Sequence, residues 1–207
     1  MMDGSRGKGR ELDRTRAELA QALERAEVQA RRVRELEEQI AQAAVQSAPE
    51  PMDSVLDRRA FDEAFRIEQS RAKRDRAALS LVLLQIDEIE AITDLMGHGA
   101  GEAANSHLAV TLRTKVRPTD VVARLEGVEF GLLLTATALE QALAATARLQ
   151  GEFTALPLEL SGRSCGLTFS AGVVQWREEE TLGDLLSRAS RALNQARRGG
   201  INKVVVA

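Results

Sequence analysis

Val121-Val122-Ala123-Arg124-Leu125, then Glu126-Gly127, then Val128-Glu129-Phe130-Gly131-Leu132-Leu133-Leu134: two β-rich runs are parted by a glycine-bearing pair. The pattern predicts an antiparallel hairpin, because glycine accepts the backbone conformations that tight turns require. On its N-terminal side Leu79–Ile86 is apolar at nearly every position, the mark of a strand covered on both faces. Asp87–Leu95 and Gly99–Val116 read as helices between that strand and the hairpin. Asp57–Arg76 reads as an amphipathic helix, with Phe61, Ala64, Phe65 and Glu68 marking its turns. After the hairpin come a helix over Leu139–Phe153 and short strands near Leu158 and over Leu167–Val174. A helix over Leu182–Arg198 ends at Gly199-Gly200, a C-cap placement, and Lys203–Val206 closes as a strand. Helices alternating with strands about one hairpin predict an α/β (α+β) domain with a mixed central sheet.

Upstream the composition changes. Residues 1–9 are glycine-rich and polar and read as a tail, while 10–46 contain neither glycine nor proline and are rich in strong helix formers. Leu12, Leu19, Ala26, Val33 and Ile40 form a column at seven-residue spacing. The companion column, Thr15, Ala22, Gln29, Leu36 and Ala43, is weaker. The spacing predicts a short coiled coil and a homodimer through 10–46, with a single solvated helix as the alternative. Residues 47–53, holding Pro49 and Pro51, read as a linker to a domain over 54–207.

The 207 residues carry 28 Lys+Arg against 31 Asp+Glu, a net charge of −3, and aromatics make up only 3%. That balance argues against a base-stacking nucleic-acid binder. Arg31-Arg32-x-Arg34 and Arg71-x-Lys73-Arg74-x-Arg76 accordingly read as solvated helix faces. The single cysteine, Cys165, excludes an intramolecular disulfide and a cysteine-cluster zinc site, and reads as passive. The longest apolar run, Ala77–Leu84, is broken by Ser80 and falls far short of the roughly 20 residues of a membrane span. No apolar core follows the first ten residues, so no signal peptide is expected; a cytoplasmic chain without membrane contact is.

No phosphate-binding glycine loop and no nucleophile–base set is present. Function is instead carried by the order of five pieces. Asp57-Arg58-Arg59-Ala60-Phe61 opens the first helix, and Leu83-Leu84-Gln85-Ile86-Asp87 ends the first strand. Gly97-His98-Gly99-Ala100-Gly101-Glu102 opens a helix, Glu126-Gly127-Val128-Glu129-Phe130 forms the hairpin tip, and Arg197-Arg198-Gly199-Gly200-Ile201-Asn202-Lys203 leads to the last strand. In that order the pieces resemble the GGDEF-domain family, diguanylate cyclases that join two GTP molecules into cyclic di-GMP. The resemblance spans about Met52 to Val206 and implies a mixed sheet flanked by helices, with the signature on the hairpin.

The resemblance also shows where the chain departs. The signature's first glycine, which lets GTP approach the backbone, is Glu126; Gly127 is kept; the metal-binding carboxylate position is Val128. The second metal carboxylate, at the end of the first strand, is Gln85. Protein-bound Mg²⁺ uses one or two carboxylates with substrate phosphates, and both expected ones are gone. The guanine-reading positions are Thr93 and Glu102, and the phosphate-contacting cations become Arg197 and Ile201. Asp87 and Glu129 survive; without a metal, Asp87 reads as a cap for the following helix and Glu129 as a solvated hairpin residue. Neither catalysis nor binding of Mg²⁺ and GTP is expected from such a site, since phosphoryl transfer depends on metal and positioning.

One family feature is intact. Arg117-x-x-Asp120 lies just before the signature, where many of these cyclases bind their product, and Arg148 matches a position supplying a second guanine-binding arginine from a neighbouring domain. The neighbouring acidic residue of such members is Gln141. An arginine forks onto guanine O6 and N7, and a carboxylate accepts from N1–H and N2–H. The plain alternative is that Asp120 merely begins its strand after Pro118. The expectation is therefore a catalytically silent domain, a cyclic di-GMP receptor through Arg117, Asp120 and Arg148 or a protein scaffold of unidentified partner. The rivals are a weakly active, atypical cyclase and a dimeric scaffold that binds no nucleotide.

Overall fold

The chain divides into two units, residues 1–46 and 47–207. The computed structural model describes residues 55–207 except Ser161, together with Gln29 and Arg32. The expected tail and linker lie outside the described residues, as does the coiled-coil segment apart from those two, which are helical and exposed.

The second unit opens with α1 (Arg58–Asp75), whose first turn is capped by the Asp57 carboxylate accepting from Ala60 N at 2.8 Å. Then follow β1 (Leu79–Ile86), α2 (Ile89–Met96), α3 (His98–Lys115), β2 (Val121–Glu126) and β3 (Glu129–Thr135). The chain continues through α4 (Leu139–Thr154), β4 (Leu158–Leu160), β5 (Arg163–Cys165), β6 (Phe169–Gln175), α5 (Leu182–Arg198) and β7 (Val204–Val206). The main sheet runs β2-β3-β1-β6-β7, antiparallel except for the parallel β6–β7 pair, so the mixed sheet is present. β4 and β5 pair separately as a small hairpin.

β1 is buried along its whole length because its alternate side chains serve two cores. Val82, Leu84 and Ile86 pack with Leu108 and Leu112 of α3 and Leu149 and Phe153 of α4. Leu79, Leu81 and Leu83 pack with Phe61 and Phe65 of α1 and Leu185, Ala189 and Leu193 of α5. The result is three layers, helix–sheet–helix, with the hairpin tip and the end of β1 at one rim of the sheet. The incoming chain is stitched to the sheet edge: Leu56 N donates to Val122 O at 2.9 Å and Arg124 N to Leu56 O at 2.8 Å.

Two local expectations need correction. The hairpin turn is Gly127-Val128, not Glu126-Gly127: Glu126 stays in β2 opposite Glu129, and Gly127 takes φ +53°. The ladder slips between Arg124 and Glu126, leaving Leu125 as a bulge over Gly131. Asp87 does not cap a helix, since α2 begins after Glu88 in a left-handed conformation and without a side-chain cap.

Candidate functional site

Two separate groups of residues matter, at opposite ends of β2. The first surrounds the hairpin tip. Cross-strand register lines up Glu126, Glu129, Gln85 and Ser170 in one row over β2, β3, β1 and β6. Gln85 is 3% exposed, and its Nε2 donates to Glu90 Oε1 at 3.3 Å. Arg197 Nη2 donates to the same oxygen at 3.3 Å, so one carboxylate on α2 gathers both the Gln85 amide and the Arg197 guanidinium. Val128 packs against the core and brings no oxygen to this rim.

Glu129 is half-buried rather than freely solvated, because it sits inside the row on the α5 side of the sheet. Burial pushes its carboxyl above the ordinary glutamate range, the neighbouring charge of Glu126 adds to the rise, and Arg197 opposes it. Glu126 and Glu129 form one wall of an open cavity of about 400 Å³, across from Ser190 and Arg191 of α5.

Asp87, 8% exposed, is a structural tie. Its carboxylate accepts from Thr168 Oγ1, Ser170 Oγ and Asn202 N, each at 2.7 Å, joining the end of β1 to β6 and to the loop before β7. The helix-cap reading fails because every one of these donors comes from a remote segment.

The two positions that the resemblance would assign to guanine reading, Thr93 and Glu102, are likewise engaged within the domain. Thr93 Oγ1 donates to Ile89 O at 2.8 Å, and it lies against Gly101, where α2 and α3 approach too closely for a side chain. Glu102 accepts a bidentate pair from Arg124, at 2.9 and 3.0 Å, which holds its carboxyl below the usual range. Arg124 Nε also donates to Gly127 O at 2.6 Å and so pins the turn to α3.

These donor sets do not fit Mg²⁺. The metal positions offer a hydrogen-bonded amide and a valine, and among the described residues no three His, Cys, Asp or Glu side chains converge on one point. Glu90 and Arg124 escaped the sequence reading. Glu90 could have been found from its place on the exposed turn five residues after Gln85; Arg124 had only strand alternation to aim it at α3.

The second group lies at the start of β2, about 20 Å from the tip at roughly 3.3 Å per strand residue. Arg117 is exposed on the turn between α3 and β2, where Asp120 N donates to Arg117 O at 3.0 Å. Asp120 is 6% exposed. One carboxylate oxygen accepts from Arg117 N at 3.1 Å and the other from Thr135 N at 3.2 Å. Arg148 projects from α4 with its side chain 61% exposed and donates from Nη2 to Lys115 O at 3.5 Å. Gln141 caps α4, accepting from Ala138 N at 3.2 Å. Thus Arg117 and Arg148 come to one region of a single domain, while Asp120 faces inward to its own turn.

No helix among the described residues is long and apolar enough to cross a membrane. Residues 47–203 match the family described as "Diguanylate cyclase, GGDEF domain". Diguanylate cyclase DgcP of Pseudomonas aeruginosa is 34% identical over 158 residues, which cover 76% of this chain and 24% of DgcP. The chain thus spans about a quarter of that relative's length. Among solved structures, diguanylate cyclase SiaD of Pseudomonas aeruginosa, crystallised with its activator SiaC, superimposes with a TM-score of 0.72 at 26% identity, covering 98% of this chain and 78% of SiaD. The GGDEF domain of Caulobacter crescentus DgcB, in complex with c-di-GMP, shares the fold at a TM-score of 0.69 and 23% identity, covering 73% of this chain and 91% of that one. With its mixed sheet, its hairpin and this match over most of its length, the chain belongs to the GGDEF-domain family of diguanylate cyclases.

Proposed function

We propose that this domain acts in cyclic di-GMP signalling without making the dinucleotide, as a receptor that binds it at Arg117 and Arg148. The observation that carries the silent half of this reading is the pairing of Gln85 and Val128 at the two metal positions. Catalysis of phosphoryl transfer rests on metal charge and alignment, and neither residue holds Mg²⁺. Arg197, the cation left for a triphosphate, is already paired with Glu90, and Glu126 adds negative charge where phosphates would lie.

The receptor half is supported by two exposed guanidinium groups on one surface, able to fork onto the acceptor edges of guanine and onto phosphodiester oxygens. DgcB shows that a domain of this fold takes c-di-GMP. Asp120's part is to hold the turn that presents Arg117, since its oxygens already serve two backbone amides. That engagement is also what favours the second reading, a scaffold that binds protein alone.

Calorimetric titration of the full chain with cyclic di-GMP separates the two. Saturable binding that weakens about tenfold or more in Arg117→Ala, the value of a lost bidentate base contact, is expected. No heat at high micromolar dinucleotide would leave the scaffold. Incubation with GTP and Mg²⁺ or Mn²⁺ should yield no cyclic di-GMP; product that disappears in Glu129→Ala would restore the atypical cyclase.

A further inference from the structure

Beside Arg117 the structure gathers a cluster that the sequence reading left out. Lys115 ends α3 two residues before Arg117, and Glu152 lies one turn along α4 from Arg148. Glu152 sits between two cations, with Lys115 Nζ at 3.7 Å from one oxygen and Arg148 Nε at 3.9 Å from the other. Those are ion-pair distances, too long for hydrogen bonds. The Oε2 atom is closed off from solvent and accepts no hydrogen bond from any described residue. The cations themselves face outward, their side chains 41% and 61% exposed.

We infer that Glu152 is an internal counter-anion of the receptor site, holding Lys115 and Arg148 beside Arg117 until a phosphodiester of the dinucleotide replaces it. The inference rests on the receptor reading and adds two members, Lys115 and Glu152. It also moves Arg148 from a neighbouring domain to its own, because its guanidinium already touches the carbonyl of Lys115. A phosphodiester carries one negative charge and two free oxygens. It can therefore give these cations the short, charge-assisted hydrogen bonds that Glu152 does not. An ion pair at such length, with both cations facing solvent, is weak enough to be exchanged. Breaking these pairs is a cost met on binding, so the carboxylate competes with the dinucleotide for the two cations.

The test titrates cyclic di-GMP into the full chain and into Glu152→Gln, Lys115→Met and Glu140→Gln, with melting curves to confirm folding. Glu140, in the first turn of α4, is exposed and about 18 Å along the helix from Glu152, at roughly 1.5 Å per residue, so it controls for net charge alone. Glu152→Gln should tighten binding about two- to fivefold, the size of an exposed ion pair, and Lys115→Met should weaken it by a similar factor. Glu140→Gln should leave it unchanged. Wild-type binding that Glu152→Gln leaves equal or weaker, or that Glu140→Gln tightens as much, would overturn the counter-anion while keeping the receptor. Absence of binding in the wild type and every variant would overturn the receptor reading itself.

Discussion

Two glutamates at the hairpin end of the sheet are shifted in opposite directions, and the difference is testable by pH. Glu129 has its carboxyl raised by burial and by Glu126. An acid raised by folding binds its proton more readily in the native state. It therefore opposes folding increasingly as pH climbs from the unfolded value through the folded one. Glu129→Gln should raise the melting temperature at neutral pH, with the gain fading as pH falls below the ordinary glutamate value of 4.5. Glu102 is the reverse case, depressed by its forked bond to Arg124. Its contribution is present above the ordinary glutamate value and is lost as pH falls through the folded one. Glu102→Gln should lower the melting temperature at neutral pH and not in acid. Melting curves of both variants from about pH 2 to pH 7, a span that starts well below the ordinary glutamate value, check the pair; parallel shifts at all pH values would assign the effects to packing instead of charge. The sequence marked both positions as departures or survivals of the family pattern. The partners that set their shifts lie on other elements, and no local spacing points to them.

At the scale of elements, close approach matters more than charge. Gly172 lies midway along β6, and a methyl group there would run into the backbone of α5 at Ala189 and Leu193. Gly131, on β3, faces only the flexible tip of Leu125. Gly172→Ala should therefore cost about 1–3 kcal/mol, the usual penalty of overpacking a rigid contact, and Gly131→Ala clearly less. Chemical denaturation of the two variants checks the order; equal losses would mean that α5 gives way as easily as a leucine side chain. Elements that bury an unmistakable face were legible in advance: β1 from its unbroken apolar run, and α1 from Phe61 and Phe65. β5 was not, since Arg163-Ser164-Cys165 is short and polar, and its partner β4 supplies the only reason for it to be extended. The start of α2 was misplaced for a related cause. Asp87 looks like a helix cap locally, but its carboxylate serves Thr168, Ser170 and Asn202, all more than 80 residues away. The same holds at Asp120, whose bond to Thr135 N ties the start of β2 to the end of β3 at the open end of the hairpin, 15 residues away in sequence.

For the whole molecule, the open matter is whether two domains act together. The seven-residue column from Leu12 to Ile40 implies a parallel dimer, yet its companion column places Thr15 and Gln29 at the seam. Helices of this length gain most of their stability from the partner's apolar face, so a seam diluted by alanine and polar residues should dissociate at low concentration. Light scattering should give twice the chain mass for the full protein at high concentration, falling on dilution, while residues 52–207 alone should remain monomeric. Equal masses with and without the first 51 residues would remove the coiled coil from the account. The outcome bears on the proposed receptor site as well. Arg148 bonds to the carbonyl of Lys115, two residues before Arg117 in the same domain, so a receptor built in cis needs no dimer to bind. The 207-residue chain and residues 52–207 should then take up cyclic di-GMP with similar affinity. Binding retained only in the dimer would mean that the second domain supplies a contact that Arg148 of the same chain does not.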